Sequence, residues 1–409
     1  MILRLKSVDR RLFSSFSYMS LIQIFTLLMP ILAYPYLIRN LGMDGYGKAI
    51  YAYSIGQYFS ILIQFGFSLS GTKVISQNLE DKCEINRIVS SILMIRFLIF
   101  IISSILFLWI YFFFFNDVIY FYSYLYVVGD VFLLNYYYQG FQNLKKFALV
   151  GFISKLVLLI LLLSYIDDES DVYLYCLLTS LCYIVSNVLF FMYSIRNDRL
   201  KLVFDLKFSF KVFIDSFYIF LSRVPVVFVE KINILVLGTF VSNTAVSYYD
   251  LAAKLTALLQ MPFNIFNQIY YPKASRDKDI KAVISIVRTA MVIALVIYGL
   301  GVLLGKYVIN YYAGESMIAT YDIFVILSLI LPINTLSHNF GNCVLISLDK
   351  VKEFNFTVYF PAFFYVFFML TLIYFKLVTV VNVIILFVFY VFLICLLRTY
   401  FVLKVARNL

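Results

Sequence analysis

Runs of about twenty apolar residues follow one another along almost the whole chain, separated by short clusters of charge. A helix of that length spans the roughly 30 Å hydrocarbon layer of a bilayer, because each residue advances about 1.5 Å. Of the 409 residues, 63% are hydrophobic and only 13% charged, against the roughly 25% charged typical of soluble domains. One soluble core cannot hide that much Phe, Ile, Leu, Val and Tyr, and no stretch is polar enough to form a separate soluble domain. Backbone polar groups must then be satisfied inside each span, so the spacing predicts an all-α polytopic membrane protein.

Twelve spans are predicted. The first six run over Ser14–Ile38, Gly47–Ser70, Ile88–Phe114, Val118–Phe141, Phe147–Ile166 and Val172–Ile195. The second six run over Val212–Leu237, Ala245–Tyr270, Val283–Ile309, Tyr321–Ile346, Phe356–Phe375 and Thr379–Val402. Only Asn116 and Asp117 separate the third from the fourth. Arg4, Lys6, Arg10 and Arg11 precede the first run as in a signal peptide, but that run is too long and lacks a small-x-small cleavage site, so it reads as a retained helix.

Lys and Arg alternate between the loops. They crowd the N-terminal tail, the loops around Lys73–Arg87, Lys145–Lys146, Arg196–Lys211, Lys273–Lys281 and Lys350–Lys352, and the C-terminal tail. The intervening loops are short and poor in cations, and the one holding Asp167, Asp168, Glu169 and Asp171 is acidic. The bias places both termini in the cytoplasm. The net charge of +11 follows from this pattern and gives no support to nucleic-acid binding. The five cysteines show no C-x-x-C spacing, and the one histidine, His338, excludes a His-based metal site. There is no G-x-x-x-x-G-K-[ST] sequence for direct ATP use, and no cofactor is expected.

The basic loop Arg196–Lys211 divides the chain into two six-span lobes, residues 1–200 and 201–409. Pro30, Leu41-Gly42, Tyr46 and Ala49 in the first are echoed by Pro225, Leu237-Gly238, Tyr248, Tyr249 and Ala252 in the second. Gln139-Gly140 is echoed by Phe340-Gly341. Chance matching in an apolar sequence is the plain alternative. Duplication of an even number of spans would relate the lobes by a pseudo-twofold axis along the membrane normal.

Charges at membrane depth are costly and need a partner or a task. Arg223 falls about 16 Å into span seven, near the midplane, with Glu230 and Lys231 further along. Asp250 and Lys254 share one face of span eight, and Asp130 sits in the middle of span four. Arg96 and Lys155 are nearer the inner surface and can snorkel there. Two readings stand side by side: a cationic central cavity in which Arg223, Lys231 and Lys254 receive an anion such as a phosphate, or structural pairs that hold helices together.

The stretch LIRNLGMDGYGKAIYAYSIGQYFSILIQFGFSLSGTKVIS (Leu37–Ser76) resembles the opening of polysaccharide-unit flippases of the Wzx type, in the multidrug/oligosaccharidyl-lipid/polysaccharide exporter superfamily. YYQGFQNLKKF (Tyr137–Phe147), NILVLGTFVSNTAVSYYDLAAKL (Asn233–Leu255) and YYPKAS (Tyr270–Ser275) are similar to it as well. The resemblance implies two six-helix lobes alternating around a cationic cavity. The implied cargo is an undecaprenyl-pyrophosphate-linked oligosaccharide, an O-antigen or capsule repeat unit, carried from the cytoplasmic to the outer leaflet of a bacterial inner membrane without an ATPase or catalytic residues. It also implies a polysaccharide polymerase and a chain-length regulator as partners, besides membrane lipid. A drug/cation antiporter of the same superfamily would share the architecture but is expected to have an acidic cavity. A polymerase would need a large outer loop.

Overall fold

The computed structural model describes residues 2–203, 205–277 and 280–407; side chains are described for most of these, but not for 2–23, 25–27, 222–223, 226–227, 230, 268–269, 272–273, 276–277 or 406–407. The described residues form helices and no strand. The chain divides into two compact units, Met1–Phe228 and Val229–Leu409.

In the first unit, α1 (Ile2–Gln64) carries the first predicted span and most of the second. The predicted connection between them contracts to one residue, Gly42, with φ 68° and ψ 169°. That backbone conformation is open to glycine, and a Cβ there would lie 2.9 Å from Glu169 Oε1. Helix α2 (Phe67–Gln77) completes span two. Helix α3 (Lys82–Ile110) starts at Asp81, whose side chain accepts from the N–H groups of Cys83 and Glu84, and it runs into a π-helical turn, Tyr111–Phe115. The narrow division at Asn116-Asp117 is real: Asn116 is left-handed, and Asp117 caps α4 (Val118–Val131) through the Ile119 N–H. Helix α5 (Asn135–Gly140) continues span four after a break. Helices α6 (Lys145–Tyr165) and α7 (Val172–Asn197) flank the acidic loop, where Asp168 and Asp171 form a reciprocal capping box.

Helix α8 (Leu206–Phe240) begins in the first unit and ends in the second. The second unit continues with α9 (Asn243–Asp277), α10 (Ile280–Ala313), α11 (Thr320–Ser328) and α12 (Ile330–Asn339). A π-helical stretch, Phe340–Ile346, completes span ten, followed by α13 (Val351–Tyr374) and α14 (Val380–Arg407).

Among the described residues, nine helical stretches are long and apolar enough to cross a membrane; the first of them, Leu28–Gln77, holds parts of two predicted spans. Large apolar side chains such as Phe112, Phe113, Phe114, Leu303 and Phe363 face outward from these helices. On a soluble protein that surface would drive aggregation; here it is the surface for acyl chains. Small residues let backbones approach where the helices meet. A Cβ at Gly56 in α1 would lie 2.8 Å from the Ser123 carbonyl oxygen of α4. One at Gly129 in α4 would lie 2.5 Å from the Tyr183 ring of α7.

Candidate functional site

Polar groups inside so apolar a chain mark where function can reside, because each must be satisfied by a neighbour. In the first unit they gather on Asp130. Its Oδ1 accepts from Gln64 Nε2 at 3.1 Å and from the Tyr183 hydroxyl at 2.9 Å. Gln64 Nε2 also lies 3.1 Å from Ser60 Oγ. The Tyr183 ring stacks on Tyr126 with centroids 3.9 Å apart, and Tyr126 meets Tyr53 edge-on at 5.0 Å. Asp130 has no exposed surface, so in this conformation it belongs to the packed interior of its unit.

Arg96 departs from its predicted role. It does not snorkel: it is 1% exposed, donates through Nη1 to the Leu133 carbonyl at 2.5 Å, and lies over the rings of Phe67 and Tyr136. The break between α4 and α5 explains this. The Tyr137 N–H turns to the Leu134 carbonyl, leaving the Leu133 carbonyl to be satisfied by a side chain.

In the second unit the predicted pair forms, with Lys254 Nζ 2.5 Å from Asp250 Oδ2. The two side chains keep 21% and 12% of their surface. Next to Asp250, the Tyr249 hydroxyl accepts from Asn233 Nδ2 at 2.8 Å, and the Tyr365 hydroxyl donates to Asn233 Oδ1. Asn233 therefore ties α8 to α9 and α13. Lys231 is half-buried on α8, two residues before Asn233. The side chains of Arg223 and Glu230 lie outside the described residues. Asp130 belongs to one unit and Lys231, Asp250 and Lys254 to the other.

Sequence reasoning missed Arg398. It is 7% exposed, donates to the carbonyl and hydroxyl of Ser337 at 3.0 and 3.1 Å, and sits 4.8 Å from the Phe354 ring centre. Its place in the apolar run of span twelve was the available signal. Asn267, Asn339 and Asn342 form a second buried polar group, in which Asn267 Nδ2 donates to Asn339 Oδ1 at 3.1 Å and Asn342 Nδ2 donates to Asn267 Oδ1 at 2.8 Å. These side chains join α9 to the end of α12 and to the π-helical stretch that follows it, where an extra residue per turn re-aims side chains.

Helices long enough to span a bilayer, divided into two units that each enclose polar groups, define a multi-pass membrane protein. The fold is that of two solved structures. One, an inward-facing conformation of a multidrug resistance MATE family transporter of the MOP superfamily, has a TM-score of 0.71 and 12% identity, covering 94% of each chain. The other, the lipid II flippase MurJ in an inward closed conformation, has a TM-score of 0.73 and 17% identity, covering 95% of this chain and 87% of that one. Residues 12–278 match the family described as Polysaccharide biosynthesis protein, and the chain belongs to that family. It is also 21% identical over 353 residues to the "Putative O-antigen transporter" of Escherichia coli (strain K12), covering 83% of this chain and 84% of that protein.

Proposed function

We propose that this protein is a flippase for lipid-linked oligosaccharide, moving O-antigen or capsule repeat units on a polyprenyl pyrophosphate from the cytoplasmic to the outer leaflet of a bacterial inner membrane. The observation that carries the reading is membership of the polysaccharide biosynthesis family over residues 12–278. The relative named as an O-antigen transporter and the MurJ fold support it. The MATE likeness has a nearly equal TM-score, so fold alone does not separate a flippase from a drug/cation antiporter; the family and the relative named as an O-antigen transporter favour the flippase.

The physical need is clear. A pyrophosphate and its sugars cannot enter hydrocarbon unaided, whereas the polyprenyl tail can stay in lipid. Arg223, Lys231 and Lys254 are the cations proposed to receive the pyrophosphate, with Asp250 holding Lys254 in place and Glu230 beside Lys231 on α8. Two conformations separated by a few kcal/mol suffice for alternating access. The connections that the charge pattern places outside are short, such as Asn116-Asp117 and Ile166–Asp171, which leaves no outer domain for polymerase chemistry. Both termini would face the cytoplasm, and a polymerase with its chain-length regulator would act on the delivered units.

The test is complementation of a strain lacking the gene. The intact protein should restore surface polysaccharide, and its absence should leave lipid-linked units accumulated in the inner leaflet. Arg223→Ala and Lys254→Ala should insert normally and restore little or none. Normal polysaccharide ladders from both variants would overturn the cationic site. Normal ladders from the deletion strain would overturn the function.

A further inference from the structure

A cation buried at membrane depth ordinarily has a carboxylate against it. Lys254 has Asp250 in the second unit, and Arg96 faces Asp130 in the first. Arg398 on α14 has no such counterpart. Among the described residues no carboxylate lies within ion-pairing distance of it. The titratable groups that face it are Tyr390 and Cys395 of its own helix and His338 of α12, and none of these is a carboxylate.

Its neutral partners leave part of the guanidinium unused. Nη1 donates to the Ser337 carbonyl and hydroxyl, and Nε points to Thr357 Oγ1 of α13 at 3.4 Å. Nη2 has no partner among the described residues. His338, next to Ser337, is half-buried, and its ring nitrogens have no partner there either. Arg96 Nε is sealed in without a partner, whereas Arg398 Nη2 and the His338 nitrogens are not sealed and open onto space beside them.

That space is small and lies toward positive charge. Arg398 keeps 7% of its surface, and Gly341 and the Phe354 ring close on the guanidinium. It stands toward the C-terminal end of α14, where Lys404 is exposed. Lys350 and Lys352, at the start of α13, are exposed too, and the contact of Phe356 with Phe401 puts them at the same end of the unit. These ammonium groups draw anions to that end. A desolvated guanidinium without a counter-charge is costly, and a bound anion offsets that cost. A halide accepts N–H bonds from a guanidinium and an imidazole at once, whereas a lipid phosphodiester would have to bring two ester arms into the same opening.

We infer that Arg398 Nη2 and His338 hold a single small anion of halide size, chloride by size and abundance, inside the second unit. The anion supplies the charge that no carboxylate supplies. Through Arg398 it is linked to Ser337 and Thr357, so its binding secures α12, α13 and α14 to one another. This goes beyond the flippase reading and is independent of it, because an ion held among three helices of one unit asks nothing of the cargo.

The experiment uses the full chain in nanodiscs of neutral lipid without cargo, exchanged into sodium gluconate. Chloride, bromide and inorganic phosphate are titrated separately at constant sodium and ionic strength, and thermal unfolding and chloride-35 NMR line width are followed. Chloride and bromide should raise the unfolding midpoint by about 2–4 °C and saturate, with gluconate and phosphate inert. The chloride line should broaden with protein and sharpen again as bromide displaces it. His338→Leu leaves the bonds from Arg398 to Ser337 and Thr357 in place and should weaken the apparent affinity about tenfold, the share of one charge-assisted hydrogen bond. Arg398→Gln should abolish binding; if that variant is not recovered folded, His338→Leu carries the test. Neither a saturable broadening nor a halide-specific rise in the intact protein would overturn the inference. So would an equal rise with gluconate, a rise with phosphate alone, or an unchanged affinity in His338→Leu. Because no cargo is present, every outcome is independent of the complementation result.

Discussion

Gly341 and Arg398 share one volume: a Cβ on the glycine would lie 2.9 Å from the guanidinium carbon of the arginine. Gly341 belongs to the π-helical stretch of span ten, and Arg398 reaches from α14 to the Ser337 carbonyl and hydroxyl one turn earlier. Arg96 does the corresponding work on the broken span four, at the Leu133 carbonyl. In each unit a buried arginine donates to a backbone carbonyl where a helix departs from regular α geometry, at a depth where water is not available to do so.

Gly341→Ala should therefore lower stability by about 1–3 kcal/mol, the usual cost of overpacking. Thermal unfolding of the purified protein in detergent would measure it. Arg398→Lys should also destabilise, since a single ammonium cannot replace the planar fork. An unchanged midpoint for Gly341→Ala would mean that Arg398 does not depend on the missing side chain.

Glycines elsewhere in the helices should separate by their surroundings. Gly129→Ala and Gly56→Ala, whose added methyl groups would meet the Tyr183 ring and the Ser123 carbonyl, should cost about 1–3 kcal/mol. Gly151→Ala meets nothing within 4 Å and should be neutral or stabilising by up to about 1 kcal/mol. Equal effects at Gly129 and Gly151 would refute the close-approach account of α4 and α7.

Outside the spans, Asp205 caps α8 through the Phe208 N–H at 3.1 Å and pairs with Arg87 at 2.7 Å. The backbone N–H first, and the guanidinium second, hold its carboxyl below the usual carboxylate range. A group depressed in the folded state stabilises above its unfolded value, about 3.9, and loses that contribution as pH falls through its folded value. The stability difference between the intact protein and Asp205→Asn should thus be present at pH 7 and close below about pH 4. A difference independent of pH would show that the carboxylate charge contributes nothing.

Orientation is checked by labelling single cysteines in intact cells. With the native cysteines replaced, Ser170→Cys in the acidic loop should react with an impermeant maleimide from outside. Arg199→Cys should react only after the inner membrane is opened. The reverse pattern would invert the topology assigned from the Lys and Arg distribution.

Much of this molecule was legible in its sequence for a single reason: the solvent of each segment is written locally. Apolar runs of bilayer length, the Asn116-Asp117 interruption and the alternating basic loops are properties of neighbouring residues, and the helices follow them. The Asp250–Lys254 pair was legible too, because four residues along a helix share a face. What only the tertiary structure decided is which polar groups meet across helices. Beyond its first turns α13 is apolar on every side, so no polar stripe tells which face packs inward. Arg96 looked free to reach the inner surface, yet it is drawn to a carbonyl released in a different helix. Asp130 looked like an isolated charge, and only folding brings Gln64 and Tyr183 to it. In hydrocarbon every buried polar atom must be satisfied from within the protein, and the partner that satisfies it is chosen by contacts between segments far apart in the chain.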